Sequence, residues 1–258
     1  MNLITVVVTT YNRDHYLEKC IKSILNQTYK KFDLIIVSDG YFDSTQNIVN
    51  QFNDERIKLI FNEHTGLPSK SRNIGILNAK SKFIAFCDDD DIWYQEKLEL
   101  QLSIIIQNEN LLIHTSANII SKDDLLIQKS IYRNLIKKFY SLTKYNLWLT
   151  NYITLSSIIL KTELAKKISF DEAVKLAGSE DYKFLLEFTR NNKLFYINKP
   201  LVGYRIHNNN ISANRLKGYE RSIEILRDLS INRSFLIKFI AILGIFLYQL
   251  RIYLIKIK

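Results

Sequence analysis

Cysteine and proline are scarce: the 258 residues hold 2 of each, with 7 glycines and a single methionine. Cys20 and Cys87 are too few and too far apart in the chain for a disulfide framework or a metal knuckle. Both lie inside apolar runs and read as core residues of a reducing compartment. With so little Pro and Gly, no Pro/Gly-rich linker divides the chain. Zinc-finger spacing, a basic-region helix and an aromatic RNA-binding strand are all missing. The excess of 36 Lys and Arg over 26 Asp and Glu is therefore the sole argument for nucleic acid, and no nucleic-acid partner is expected. The segment MNLITVVVTTYN lacks a basic region and a small-residue cleavage site, which points to the cytoplasm.

What the chain does have is a globular composition, 47% hydrophobic and 24% charged, enough to bury a core without disulfides. Short β-branched runs alternate with helical spacing. Residues 3 to 8, 33 to 37, 57 to 61 and 82 to 87 read as strands, and helices are expected over about 14 to 25, 43 to 52, 68 to 79 and 95 to 107. This alternation predicts an α/β fold with a mixed, mainly parallel sheet flanked by helices, and ligands at the carboxyl ends of its strands. Polar clusters occupy those ends: Thr9 to Asp14, Ser38 to Asp43, and Asp88 to Asp91. Further strands are expected at 111 to 120, 153 to 160, 194 to 198 and 201 to 206, with helices over about 180 to 190 and 216 to 229; the basic, aromatic stretch at 125 to 150 has no clear period.

Asp88-Asp89-Asp90-Asp91 directly follow the apolar strand KFIAFC, so four carboxylates crowd one strand end and require a cation to offset their repulsion. Oxygen ligands suit Mg²⁺ or Mn²⁺, commonly held by one or two carboxylates together with a substrate's phosphates. The competing reading is a solvated acidic loop, against which the strand-end position argues.

Seven segments in order, TVVVTTYNR, SILNQTY, IIVSDGYFDST, GLPSKSRNIGI, FIAFCDDDDIW, GSEDYKF and YRIHNNNIS, resemble the successive signatures of family 2 glycosyltransferases over about residues 3 to 212. The resemblance implies a GT-A, Rossmann-like fold, a nucleotide-diphosphate sugar donor, a divalent metal (Mn²⁺ or Mg²⁺) and inversion at the anomeric carbon. By motif, Thr9, Tyr11 and Asn12 belong to the nucleotide site, Asp39 accepts a hydrogen bond from the base, Arg72 reaches the nucleotide or its diphosphate, and Asp88 points toward ribose or metal. Asp90 is the expected metal ligand, and His207 a contact of metal or phosphates. Asp181 is the expected catalytic base, with Glu180 as runner-up on the acceptor side, where Trp93 is a further candidate for stacking on a sugar. Without the resemblance, Asp181 reads as a carboxylate stabilised by a helix start, His207 as a structural histidine and Trp93 as a core anchor. Ser38 and Tyr41 depart from the family's usual Asp-Asp-Gly-Ser, which bears on base preference.

The expected organisation is a glycosyltransferase domain over 1 to 212, with a nucleotide-binding half (1 to 110) and an acceptor-binding half (111 to 212), then a C-terminal amphipathic helical extension over 213 to 258. In that extension the longest charge-free run is 12 residues, about 18 Å as a helix against a hydrocarbon core of about 30 Å. Lys238, Gln249 and Lys256 share one side of the helical wheel. This predicts a helix lying in the inner-leaflet membrane surface through 235 to 258, the alternatives being a helix packed on protein or a tilted span. The expected activity is transfer of a sugar, from a UDP-sugar, to a saccharide or lipid-linked saccharide acceptor in bacterial surface polysaccharide synthesis. A polyprenyl-phosphate sugar synthase and a non-catalytic nucleotide-binding scaffold are the alternatives.

Overall fold

The computed structural model describes residues 2–130, 144–207 and 214–257. Its centre is a sheet built from β1 (Ile4–Thr10), β2 (Phe32–Asp39), β3 (Ile57–Asn62), β4 (Phe83–Asp88), β5 (Ile92–Trp93), β6 (Leu111–Ile120), β7 (Leu126–Gln128), β8 (Ile159–Lys161) and β9 (Lys193–Arg205). The strand order is β3-β2-β1-β4-β8-β6-β9-β5, with β7 paired to β6 outside that path. The β3-β2-β1-β4 block is parallel, β8 enters antiparallel between β4 and β6, and β6 and β9 run parallel again.

Strand alternation divides the core in two. Val6 and Val8 face one side of the sheet, where they join Leu17, Cys20, Ile21 and Ile24 of α1 (Asp14–Leu25) and Leu98 and Ile105 of α4 (Lys97–Ile105). Val7 faces the other side, with Ile76 of α3 (Pro68–Asn78), Phe184 and Leu185 of α7 (Glu180–Phe188), Ile223 and Leu226 of α8 (Arg215–Ser230), and Ala241 and Tyr248 of α9 (Phe235–Lys256). Three shorter or smaller helices complete the described set: α2 (Asp43–Gln51), α5 (Lys144–Leu147) and α6 (Thr162–Ile168). A Cβ at Gly75 would lie 2.3 Å from Val7 Cγ1, so only glycine lets α3 lie this close on β1. That approach sets Arg72, one turn earlier, over the strand ends.

Two expectations need correction. The strands anticipated at 194 to 198 and 201 to 206 are one strand, β9. Its register against β6 shifts around Ser116, where Pro200, lacking an N–H, is accommodated by the irregularity. The strand anticipated over 153 to 160 is a 3-10 turn, Leu155–Ser157, followed by the short β8. Ser157 Oγ donates to Thr154 O at 2.7 Å and Ser156 Oγ accepts from Asp88 N at 3.0 Å, side-chain bonds that compete with a ladder. The cysteine sulfurs, remote in sequence, lie 3.6 Å apart as buried free thiols. Of the unclear stretch at 125 to 150, residues 131 to 143 lie outside the described residues, as do 208 to 212 of the YRIHNNNIS segment.

Candidate functional site

A cleft of about 710 Å³ opens where β1, β2 and β4 end, as expected for parallel strands whose connecting loops diverge at their carboxyl ends. Thr9, Thr10, Tyr11, Asp39 and Asp88 to Asp91 line one side; Asn151 to Leu155 and Gly178 to Tyr182 line the other.

The acidic cluster is tied down by two cations: Arg13, which the sequence reading did not single out, and Arg205, which reads from sequence as structural. Arg13 Nη1 lies 3.0 Å from Asp89 Oδ1 and 2.8 Å from Asp90 Oδ2, and Thr10 Oγ1 donates to Asp89 at 2.7 Å. Arg205 is fully buried; its Nε donates to Asp90 O at 2.7 Å, its backbone N–H to Asp91 Oδ1 at 3.0 Å, and its Nη1 reaches Ser121 O and Asp124. It therefore clamps the acidic loop to the β6–β7 turn. Burial, together with the neighbouring carboxylates, still pushes Asp89 up to about 7 and holds Asp90 and Asp91 above the ordinary carboxylate range. The cluster remains under-compensated for its charge.

Arg72 joins the two sides of the cleft. Its guanidinium donates to Asp88 Oδ1 at 2.8 Å and also to Glu180 Oε1. Burial alone would lower Arg72, but the carboxylates of Asp88 and Glu180 outweigh it and raise the group above its usual value. Glu180 is buried, and its other oxygen accepts from Gly178 N. It serves as a clamp, with both carboxylate oxygens committed within the protein. Asp181, the next residue, lines the cleft and, among the described residues, accepts only from Tyr182 N, at 2.7 Å. Burial first, then the Glu180 charge, push its carboxyl up to about 7, the range in which a carboxylate works as a general base near neutrality.

Asp39 Oδ1 accepts from Thr65 N at 2.9 Å and Oδ2 from Gly66 N at 2.8 Å, so this carboxylate anchors the loop after β3 while lining the cleft. His64, unassigned from sequence, belongs to the same wall. Its ring stacks on Tyr11 at 4.2 Å between centroids, and its Nδ1 lies 3.0 Å from Asp39 O. Thr9 lines the cleft beside them; Asn12, at φ +49°, is an exposed turn residue beyond the rim. Tyr41 is 73% exposed and stacks on Phe61, away from the lining, so its bulk leaves the pocket free. Trp93 is a correction: it is buried at 3% exposure, its indole N–H donates to Ser156 O at 2.9 Å and Lys97 Nζ sits 3.8 Å over its ring, which makes it a core anchor with no face on the cleft.

His207 stacks on Tyr16, and its Nε2 lies 3.0 Å from Asp90 Oδ2. Among the described residues no three Asp, Glu, His or Cys side chains converge as a cation cage. Asp90 Oδ2 and His207 Nε2 are nonetheless an oxygen and a nitrogen of the kinds that ligate divalent ions, in contact with each other.

Comparison with known proteins agrees with this geometry. The family described as Glycosyl transferase family 2 matches residues 5–169. The chain belongs to that family. A UDP-Glc:alpha-D-GlcNAc-diphosphoundecaprenol beta-1,3-glucosyltransferase, WfgD of Escherichia coli, is 31% identical over 231 residues, 88% of this chain and 86% of WfgD. Among solved structures, S. aureus TarS 1-349 in complex with UDP-GlcNAc superposes with a TM-score of 0.70 at 20% identity, covering 91% of this chain and 68% of that one. The mannosyltransferase PcManGT of Pyrobaculum calidifontis, in complex with GDP-Man and Mn²⁺, gives 0.75 at 14% identity, covering 95% and 69%. This family 2 glycosyltransferase thus has the GT-A fold: a mixed α/β sheet with flanking helices, here with a C-terminal helix.

Proposed function

We propose that this enzyme transfers a sugar, with inversion, from a UDP-sugar to a hydroxyl of a lipid-linked saccharide at the inner membrane surface, in bacterial polysaccharide assembly. The observation that carries the reading is the pairing, in one cleft, of the Asp88–Asp91 cluster with Asp181, a carboxylate raised to about 7. Asp181 would accept the proton of the acceptor hydroxyl as its oxygen attacks the anomeric carbon and the bond to the diphosphate breaks on the opposite face. Asp90 and His207, with Asp88, would hold a divalent ion, which when bound neutralises charge on the leaving diphosphate. Tyr11, on its His64 platform, offers an aromatic face for the base, with Asp39 beside it. WfgD, by its name, uses UDP-Glc and a diphosphoundecaprenol-linked sugar, which supports the donor and acceptor classes.

The C-terminal helix supports the membrane element. Its 22 residues are long and apolar enough to cross a bilayer by length and composition, more than the charge-free run in the sequence suggested. Yet Ala241, Gly244 and Tyr248 are packed onto the domain, and Tyr248 Oη accepts from Asn151 N at 2.8 Å. The opposite face leaves Phe235, Phe239, Ile242, Phe246, Leu250 and Tyr253 exposed in one stripe, edged by the exposed Lys238, Gln249 and Lys256. A helix pinned along one side to a water-soluble domain, with an apolar stripe and flanking lysines on the other, suits the bilayer interface.

Isothermal titration with UDP, GDP and dTDP, with and without Mn²⁺, beside an Asp90→Ala variant, tests the donor site. Mn²⁺-dependent binding of UDP, lost in the variant, is expected; binding of no nucleotide under either condition overturns the reading.

A further inference from the structure

One charge interrupts the apolar helix between Phe239 and Ile255: Arg251. Its side chain is half-buried and turns inward to the domain, where its Nη1 donates to Thr150 Oγ1 at 2.9 Å. Its guanidinium lies 5.1 Å over the Tyr248 ring and 5.8 Å over that of Tyr219. Among the described residues no carboxylate lies within ion-pair distance of it. Partial desolvation of a guanidinium without a countercharge is unfavourable, and two aromatic faces with one hydroxyl leave most of its five donors for an anion.

Its location says which anion. Thr150 is followed by Asn151, the first residue of the Asn151 to Leu155 cleft wall, and the same helix holds Asn151 N through Tyr248. On the same side of that cleft stands Asp181, followed by Tyr182, which also lines it. Arg251 thus sits on the seam between the chamber that contains Asp181 and the exposed apolar stripe of Phe239, Phe246 and Leu250. An acceptor with a sugar at one end and a lipid at the other, bound with the sugar at Asp181 and the lipid along the stripe, must carry its linking group across this seam.

We propose that Arg251 recognises the diphosphate that joins the acceptor's sugar to its lipid, a binding role distinct from the donor's diphosphate site at Asp88, Asp90 and Arg72. The proposal rests on the lipid-linked acceptor of the preceding reading. It assigns to this chain the fork geometry by which arginine grips phosphate.

The test uses the full chain saturated with UDP and Mn²⁺, so that the donor site is filled, titrated with geranyl diphosphate, inorganic pyrophosphate and geraniol. Both diphosphates are expected to bind and geraniol to bind far less. Arg251→Gln should weaken both diphosphates about ten- to a hundredfold with UDP affinity unchanged. Arg251→Lys, which keeps the charge and loses the fork, should fall between, and it carries the test if the glutamine variant folds poorly, with UDP affinity as the check on folding. Wild-type affinity for geranyl diphosphate in both variants overturns the proposal, as does the absence of diphosphate binding to the wild type. A loss confined to phosphatidylglycerol vesicles also overturns it, and assigns Arg251 to a phospholipid headgroup instead. If UDP fails to bind the wild type, the donor-site reading falls, and the diphosphate titrations without nucleotide still decide the role of Arg251.

Discussion

The two sides of the cleft are built by different physics. On one side, Asp88 to Asp91, Arg13 and Arg205 form a buried, charge-dense mesh at the ends of parallel strands, where the chain supplies its polar residues in short contiguous motifs. On the other, proposed here as the acceptor side, Asn151 to Leu155 and the C-terminal helix meet mainly through apolar packing, with hydrogen bonds at Tyr248 and Arg251. Electrostatics fixes the first side and shape the second. A single guanidinium, Arg72, spans the two, with Asp88 on one hand and Glu180 on the other.

The largest effect is expected at Asp181, the cleft carboxylate proposed as the base. Asp181→Asn keeps the shape and removes the base, and should lower kcat about 10²- to 10⁴-fold with UDP affinity retained. In the wild type, Asp181 must be deprotonated to act. With its pKa raised to about 7, kcat should fall below about pH 7 and level off above it, an acid limb absent from the residual activity of the asparagine variant. Unchanged kcat in Asp181→Asn would make the acceptor side purely structural.

Arg72→Met comes next. It strips the shared cation from Asp88 and from the buried Glu180, and breaking a buried pair in this way typically costs about 3–5 kcal/mol. Chemical denaturation should show that loss, with one cooperative transition if Arg72 unifies the two sides; no loss would mean that packing alone joins them.

The contrast also explains what could be read from sequence. Strand ends in a parallel sheet collect ligand residues by topology, so Asp39, Asp88, Asp90 and Tyr11 were legible from motif and position, and the parallel pairing of β1 to β4 follows from the alternation of β and α. Arg205 reads from sequence as structural, but Arg13 was not singled out, because a guanidinium paired with carboxylates 76 or 77 positions away leaves no local period. His64 acquires its role only through stacking on Tyr11. The wall at Asn151 to Leu155 escaped because a 3-10 turn stabilised by serine hydroxyls has the composition of a strand. In the C-terminal helix the polar edge of Lys238, Gln249 and Lys256 was visible on the wheel. Which apolar face docks was not, since Ala241 and Gly244 are distinguished by smallness rather than hydropathy.

A smaller effect should separate the two faces of that helix. Phe246 is 60% exposed on the stripe, so Phe246→Ser should leave melting temperature and UDP affinity unchanged and lower partitioning onto anionic vesicles about tenfold. Unaltered partitioning would remove the stripe from the membrane contact.

The docked face gives the finest test, because two glycines on adjacent helices predict opposite signs. A Cβ at Gly244 would lie 2.1 Å from Trp148 O, a backbone atom that cannot rotate away, so Gly244→Ala must displace α9 from the segment leading into the cleft wall. The expected loss is about 1–3 kcal/mol, the usual range for overpacking. A Cβ at Gly218, within α8, meets nothing within 4 Å, so Gly218→Ala should stabilise by about 0.5–1 kcal/mol through helix propensity alone. Paired thermal or denaturant unfolding checks both. If Gly244→Ala matches Gly218→Ala in sign, close packing against Trp148 does not set the position of the helix, and the acceptor side would then depend on the Tyr248 and Arg251 hydrogen bonds, making it polar in construction like its counterpart across the cleft.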